Sequence, residues 1–115
     1  MLTTAKLKEY GANVEEGLAR CMNNEGFYIR LIGMALSDAN FGRLETALAE
    51  NDLDSAFEAA HALKGVLGNL ALSPLFIPAS ELTEELRGRT GADYQSYYER
   101  IRTAKDALEK LSEED

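Results

Sequence analysis

"AENDLDSAFEAAHALKGVLGNLALSP", residues 49–74, decides how the chain is read. Leu53, Ala56, Phe57, Ala60, Leu63, Leu67 and Leu70 recur at i, i+3 and i+4, the pattern of an amphipathic helix with one face in a core. Asp52 stands where an N-cap belongs, and the helix is expected to run to about Leu72. Ser73 and Pro74 follow as a cap and a proline at the first position of the next helix. With 3.6 residues per turn, His61 projects roughly 110–120° from the centre of the apolar stripe, so its ring lies outside the core. Asp54, Glu58, Gly65 and Gly68 fall on the same side, and none of them shields the imidazole.

Helical periodicity continues in both directions, and no stretch alternates long enough to make a strand. A short helix over Thr4–Tyr10 ends at Gly11, and Asn13 with Glu16 forms a capping box for Val14–Cys21. Asn24 caps "EGFYIRLIGMAL", in which Phe27, Leu31, Met34 and Ala35 share a stripe assigned to the core. Ser37 or Asp38 opens a segment with Phe41, Leu44 and Leu48, as a new helix or a bent continuation. Beyond Pro74, Pro78 removes a further backbone donor, so that helix is expected to be firm only over about Ala79–Arg87. Gly88 and Gly91 separate it from a last helix, Asp93–Leu111, with Tyr94, Tyr97, Ile101, Ala104 and Leu108 on one side and the first two in the core. The "SEED" tail is expected to be frayed and solvated.

Short connections favour antiparallel neighbours, so the expected fold is all-α: an antiparallel up-and-down four-helix bundle with short extra N-terminal helices. One domain accounts for residues 1–115, with the bundle core at about 24–111. The composition, 45% hydrophobic and 28% charged, is that of a globular chain, and no run approaches the roughly 20 apolar residues of a membrane span. A net charge of −8 opposes a phosphate backbone, so nucleic acid is not an expected partner. The one histidine and one cysteine, His61 and Cys21, match no zinc-ligand spacing, and there is neither a calcium loop nor a glycine-rich nucleotide loop. No metal and no cofactor of its own is expected. The absence of a secretory signal and the single cysteine point to the cytoplasm, and a monomer is expected.

Two glycines inside one helix oppose its formation by nearly 2 kcal/mol, at about 0.8–1 kcal/mol each relative to alanine. One reading is access, because side chains at i+4 and i+7 would stand beside His61 and exclude an approaching molecule. The other is close packing against a neighbouring helix. Lys64, at i+3, can lay its stem on apolar surface and bring its ammonium toward the imidazole. A solvated imidazole is substantially neutral at pH 7, and its free nitrogen is then a nucleophile. On so acidic a chain, a phosphoryl group at His61 would need a cation close by, and Lys64 provides one. These features suggest a phosphoryl acceptor, against the plainer reading of an ordinary surface histidine. A hydrolytic enzyme with His61 as base lacks a nucleophile at suitable spacing, since Ser73 and Ser80 serve better as cap and helix surface.

Around "HALKG", His61–Gly65, the sequence resembles the histidine-containing phosphotransfer (HPt) family, whose signature is His, any residue, Leu, Lys, Gly. "AENDLDSAFEAAHALKG" and "NVEEGLARCMNNEGFYIRLIGMAL" are similar to the family's approach to that helix, so the resemblance runs from about Asn13 to Arg87. It implies a bundle in which His61 carries phosphate on Nε2, Lys64 steadies the phosphoryl oxygens, and Gly65 and Gly68 leave room for a partner. Arg87 is similar in position to a basic residue that some members place near the site. The chain departs from the pattern at Ala71, where many members have glycine ten residues beyond the histidine.

The implied function is that of a free-standing carrier relaying a phosphoryl group between aspartates of response-regulator receiver domains, or from a hybrid histidine kinase. The carrier itself is not an enzyme, and Mg²⁺ is expected on the receiver. The alternative is a helical adaptor that docks receivers without accepting phosphate.

Overall fold

The computed structural model describes residues 1–114, and those residues form seven helices and no strand. Two short helices, α1 (Thr4–Tyr10) and α2 (Val14–Arg20), lead into α3 (Glu25–Leu36) and α4 (Asn40–Ala49). Three longer ones follow: α5 (Leu53–Asn69), α6 (Ser73–Arg87) and α7 (Tyr94–Glu113). Helices α4 to α7 pack in succession, and α4 also touches α7, which makes a helical bundle around one hydrophobic core. Alongside it, α1 contacts α2 and α7, and α2 contacts α3.

Five of the seven helix starts carry a side-chain cap, α4 and α6 being the exceptions. Asn24 accepts from the Phe27 N–H at 3.0 Å and Asp52 from the Ser55 N–H at 3.2 Å. Asn13 accepts from the Glu16 N–H at 3.2 Å, but the Glu16 carboxylate takes the Asn13 side-chain amide instead of its backbone N–H. That N–H donates to the Ala71 carbonyl at 2.9 Å, so the expected box is open on one side and ties α2 to the turn after α5. A new helix, not a bent continuation, follows α3, with the Asp38 carboxylate accepting from the Asn40 N–H at 2.8 Å.

Several expectations are corrected. The buried face of α3 is Tyr28, Ile32 and Ala35, while Phe27 and Met34 are exposed, 41% and 64%. Tyr28 sets this rotation: its hydroxyl donates to the Leu70 carbonyl at 2.7 Å, and its ring lies where Gly17 has no side chain. On α7 the buried tyrosine is Tyr98, with Tyr94 and Tyr97 only half-buried. Helix α6 runs unbroken from Ser73 through Pro78. Ser73 is its first residue and Leu72 its cap position, without a side-chain bond. Pro78 cannot donate to the Pro74 carbonyl one turn back, and its ring is buried in the core. Lastly, α7 reaches Glu113, and Lys6 Nζ donates to the Glu114 carbonyl at 2.7 Å and the Leu111 carbonyl at 3.3 Å. The backbone is therefore held as far as Glu114 and not frayed, while Glu113 and Glu114 are exposed, as expected of a solvated tail. Asp115, the last residue of the "SEED" tail, lies outside the described residues.

The turn after α5 carries backbone strain. Helix α5 stops at Asn69, three residues before the expected Leu72, and Ala71 takes a left-handed conformation with φ +56°. That region favours glycine because a Cβ crowds the following carbonyl oxygen. The residue type expected from the family at this position thus has a backbone reason, and the alanine is held there by the Asn13 bond to its carbonyl and by its burial.

Candidate functional site

The Asp52 cap starts α5 firmly. Its carboxylate accepts from both the hydroxyl (2.8 Å) and the N–H (3.2 Å) of Ser55, and these bonds hold its carboxyl below the usual carboxylate range. Ala56, Ala59, Ala60, Leu63 and Leu67 then fix the rotation of the helix by burial. His61 is left exposed on the outer face, as its angular position requires.

The imidazole rests on the ring of Phe57, one turn earlier, with centroids 5.7 Å apart and planes only 13° from parallel. Phe57 is half-buried and not a full member of the core stripe. Its ring also carries Arg87, whose guanidinium carbon lies 5.1 Å from the centroid and whose Nε donates to Glu84 at 3.2 Å. The continuous helix through Pro78 preserves the register that brings Arg87 here. Arg87 reaches the site by way of Phe57.

His61 opens onto a surface cleft of about 510 Å³ between α5, α2 and the start of α6, lined also by Glu16, Arg20, Lys64, Gly65, Gly68, Asn69, Ala71, Ser73 and Phe76. Lys64 is half-buried on the cleft wall and has no ion-pair partner among the described residues. Its ammonium is therefore available to an anion. The acids on the same side of α5 are turned to other tasks. Asp54 pairs with Arg89, and Glu58 lines the separate groove toward α4.

The two glycines have different reasons. A Cβ at Gly65 would meet nothing within 4 Å, so this residue leaves open surface beside His61 and Lys64. At Gly68 a Cβ would come within 2.9 Å of Phe76, so that glycine admits a ring from α6. Close packing accounts for the second, whereas no packing contact requires the first.

Arg20, like Phe76, lines the cleft with no sequence signal that ties it to His61. Its Nη1 donates to the Gly68 carbonyl and its Nη2 to Glu16, both at 2.5 Å. It comes from α2, and no local pattern connects "LAR" at 18–20 with a helix forty positions on. Only the packing of α2 against the turn at Ala71 unites them.

No cluster of three or more His, Cys, Asp or Glu residues able to hold a metal ion occurs among the described residues. None of their helices is long and apolar enough to cross a membrane. The arrangement is an exposed imidazole on α5, a lysine on the wall of the same cleft without an ion-pair partner among the described residues, and open surface at Gly65.

In comparisons with known proteins, the family model described as Hpt domain matches residues 34–114, from the end of α3 through α7, and so includes His61, Lys64, Gly65, Gly68 and Arg87. Neither the curated proteins nor the solved structures yielded a match.

Proposed function

The chain belongs to the Hpt domain family, whose members act in phosphotransfer of two-component signalling, and from that premise we propose that His61 is the residue that carries the phosphoryl group. The observation that carries this reading is the exposed imidazole sharing a cleft with Lys64, a cation without a partner among the described residues. His61 is also the only histidine in the chain.

The donor is an aspartyl phosphate on a receiver domain or the phosphohistidine of a kinase system, and the acceptor is another receiver aspartate. In the forward step from a receiver, the Nε2 lone pair of His61 attacks phosphorus. A nitrogen–phosphorus bond forms, the bond from phosphorus to the aspartyl oxygen breaks, and the carboxylate leaves with the electron pair. The proton on Nδ1 stays through this step, so the product is a phosphorylated imidazolium. Transfer onward reverses these changes on the second receiver. The receiver supplies the acidic pocket and its Mg²⁺. This chain contributes the nucleophile, the Lys64 charge against the phosphoryl oxygens, and the room left at Gly65.

A cytoplasmic setting belongs to the same proposal and fits a chain whose one thiol, Cys21, is free and buried. Incubation with a receiver carrying labelled phosphate should move label onto this protein, and adding a second, unphosphorylated receiver should draw it off again. Label that leaves the first receiver only as free phosphate would refute the carrier role.

A further inference from the structure

We propose that Phe57 is a positioning residue for the transfer: its ring sets the plane of the His61 imidazole, and Arg87, packed on the same ring, holds Phe57 in place. The inference rests on His61 being the phosphoryl acceptor.

An exposed imidazole has a broad torsion about its last bond, and attack on phosphorus requires its nitrogen lone pair to be aimed along one line. The lone pair lies in the ring plane. A neighbour against the edge of the ring would cover it, whereas a neighbour against the face restricts rotation and leaves it free. Planes 13° apart with centroids at 5.7 Å make an offset-stacked pair and exclude an edge-to-face one.

The two partners are unequal in freedom. Phe57 packs against the hydrophobic core while His61 is exposed, so the phenyl ring is the fixed member and the imidazole conforms to it. A leucine at 57 would keep an apolar contact with the core, but it offers no flat surface. Arg87 adds a second constraint, with its guanidinium over the phenyl ring and its Nε tied to Glu84.

Because the chain has one histidine, its imidazole protons can be followed directly by NMR in the whole protein. Phe57→Leu and Phe57→Tyr are compared with wild type, together with their rates of phosphorylation by phosphoramidate. That donor needs no receiver: its own phosphorus–nitrogen bond breaks, ammonia leaves, and the bond to Nε2 forms. In wild type and Phe57→Tyr the imidazole protons should show the upfield ring-current displacement of a stacked ring. In Phe57→Leu that displacement should vanish and the rate should fall about three- to tenfold through lost orientation.

Unchanged proton shifts in Phe57→Leu, or an unchanged rate, would overturn the proposal. Arg87→Gln is an exposed second variant, useful should Phe57→Leu unfold. It should shift the imidazole protons partway toward free histidine, and unchanged shifts would overturn Arg87's part. Wild type that takes no label from phosphoramidate while showing the displaced protons would instead sink the acceptor reading, and the stack would be structural only.

Discussion

Gly68 and the ring of Phe76 lie so close that a Cβ at residue 68 would stand 2.9 Å from Phe76 Cε1, whereas Gly65, three residues earlier on α5, faces open space. Alanine at the two positions should therefore have opposite effects. Gly65→Ala should gain up to about 1 kcal/mol from helix propensity. Gly68→Ala must displace the ring and should fall below Gly65→Ala by about 1–3 kcal/mol. Urea unfolding of both variants measures the difference, and equal midpoints would contradict the packing at Phe76.

Lys64 contributes no ion pair among the described residues, so its removal should leave the fold intact. A charge-assisted hydrogen bond to phosphoryl oxygen is worth about 1.5–3 kcal/mol, so Lys64→Ala should slow transfer about ten- to a hundredfold. Circular dichroism and transfer kinetics are read together. An unfolded variant, or an unchanged rate with the fold retained, would contradict this role.

At Ala71 the left-handed backbone, φ +56°, sets what the position tolerates. Ala71→Gly relieves strain and gives up a buried methyl, so stability should stay within about 0.5 kcal/mol of wild type. Ala71→Val puts a β-branched residue where φ is positive and should cost about 1–3 kcal/mol. Denaturant midpoints decide, and a valine variant as stable as the glycine one would show that the turn is not held in this conformation.

Alkaline stability should depend on Tyr98. Burial first, and then the Glu45 carboxylate that accepts its hydroxyl at 3.2 Å, push its phenol up to about 12. The value is raised in the folded state, so the contribution is intact below the unfolded tyrosine range near 10 and is lost as pH rises through about 12. Unfolding free energy measured across that window should decline less steeply in Tyr98→Phe than in wild type. Parallel declines would remove Tyr98 from the account.

Where the sequence spoke through local chemistry it was legible. The caps at Asn13, Asn24 and Asp52, the end of α1 at Gly11 and the outward direction of His61 all follow from spacing and side-chain type. The face of α3 was not legible, because "FYIRLIGMAL" is apolar on most sides and the choice of Tyr28 over Phe27 depends on the distant Leu70 carbonyl. Adjacent Tyr97 and Tyr98 posed the same ambiguity on α7. The site divided likewise: Lys64 and Gly65 lie within a turn of His61 on its own helix, but Arg20 enters from α2 and the Phe76 ring from α6. Those contacts are properties of packing and have no signature in the local pattern.

The most direct test of the central claim is intact-mass spectrometry of wild type and His61→Gln after incubation with phosphorylated receiver domains and Mg²⁺. The account predicts one acid-labile phosphoryl adduct on wild type and none on His61→Gln. An adduct of equal amount on both proteins, or none on either while receiver binding persists, would contradict His61 as the carrier.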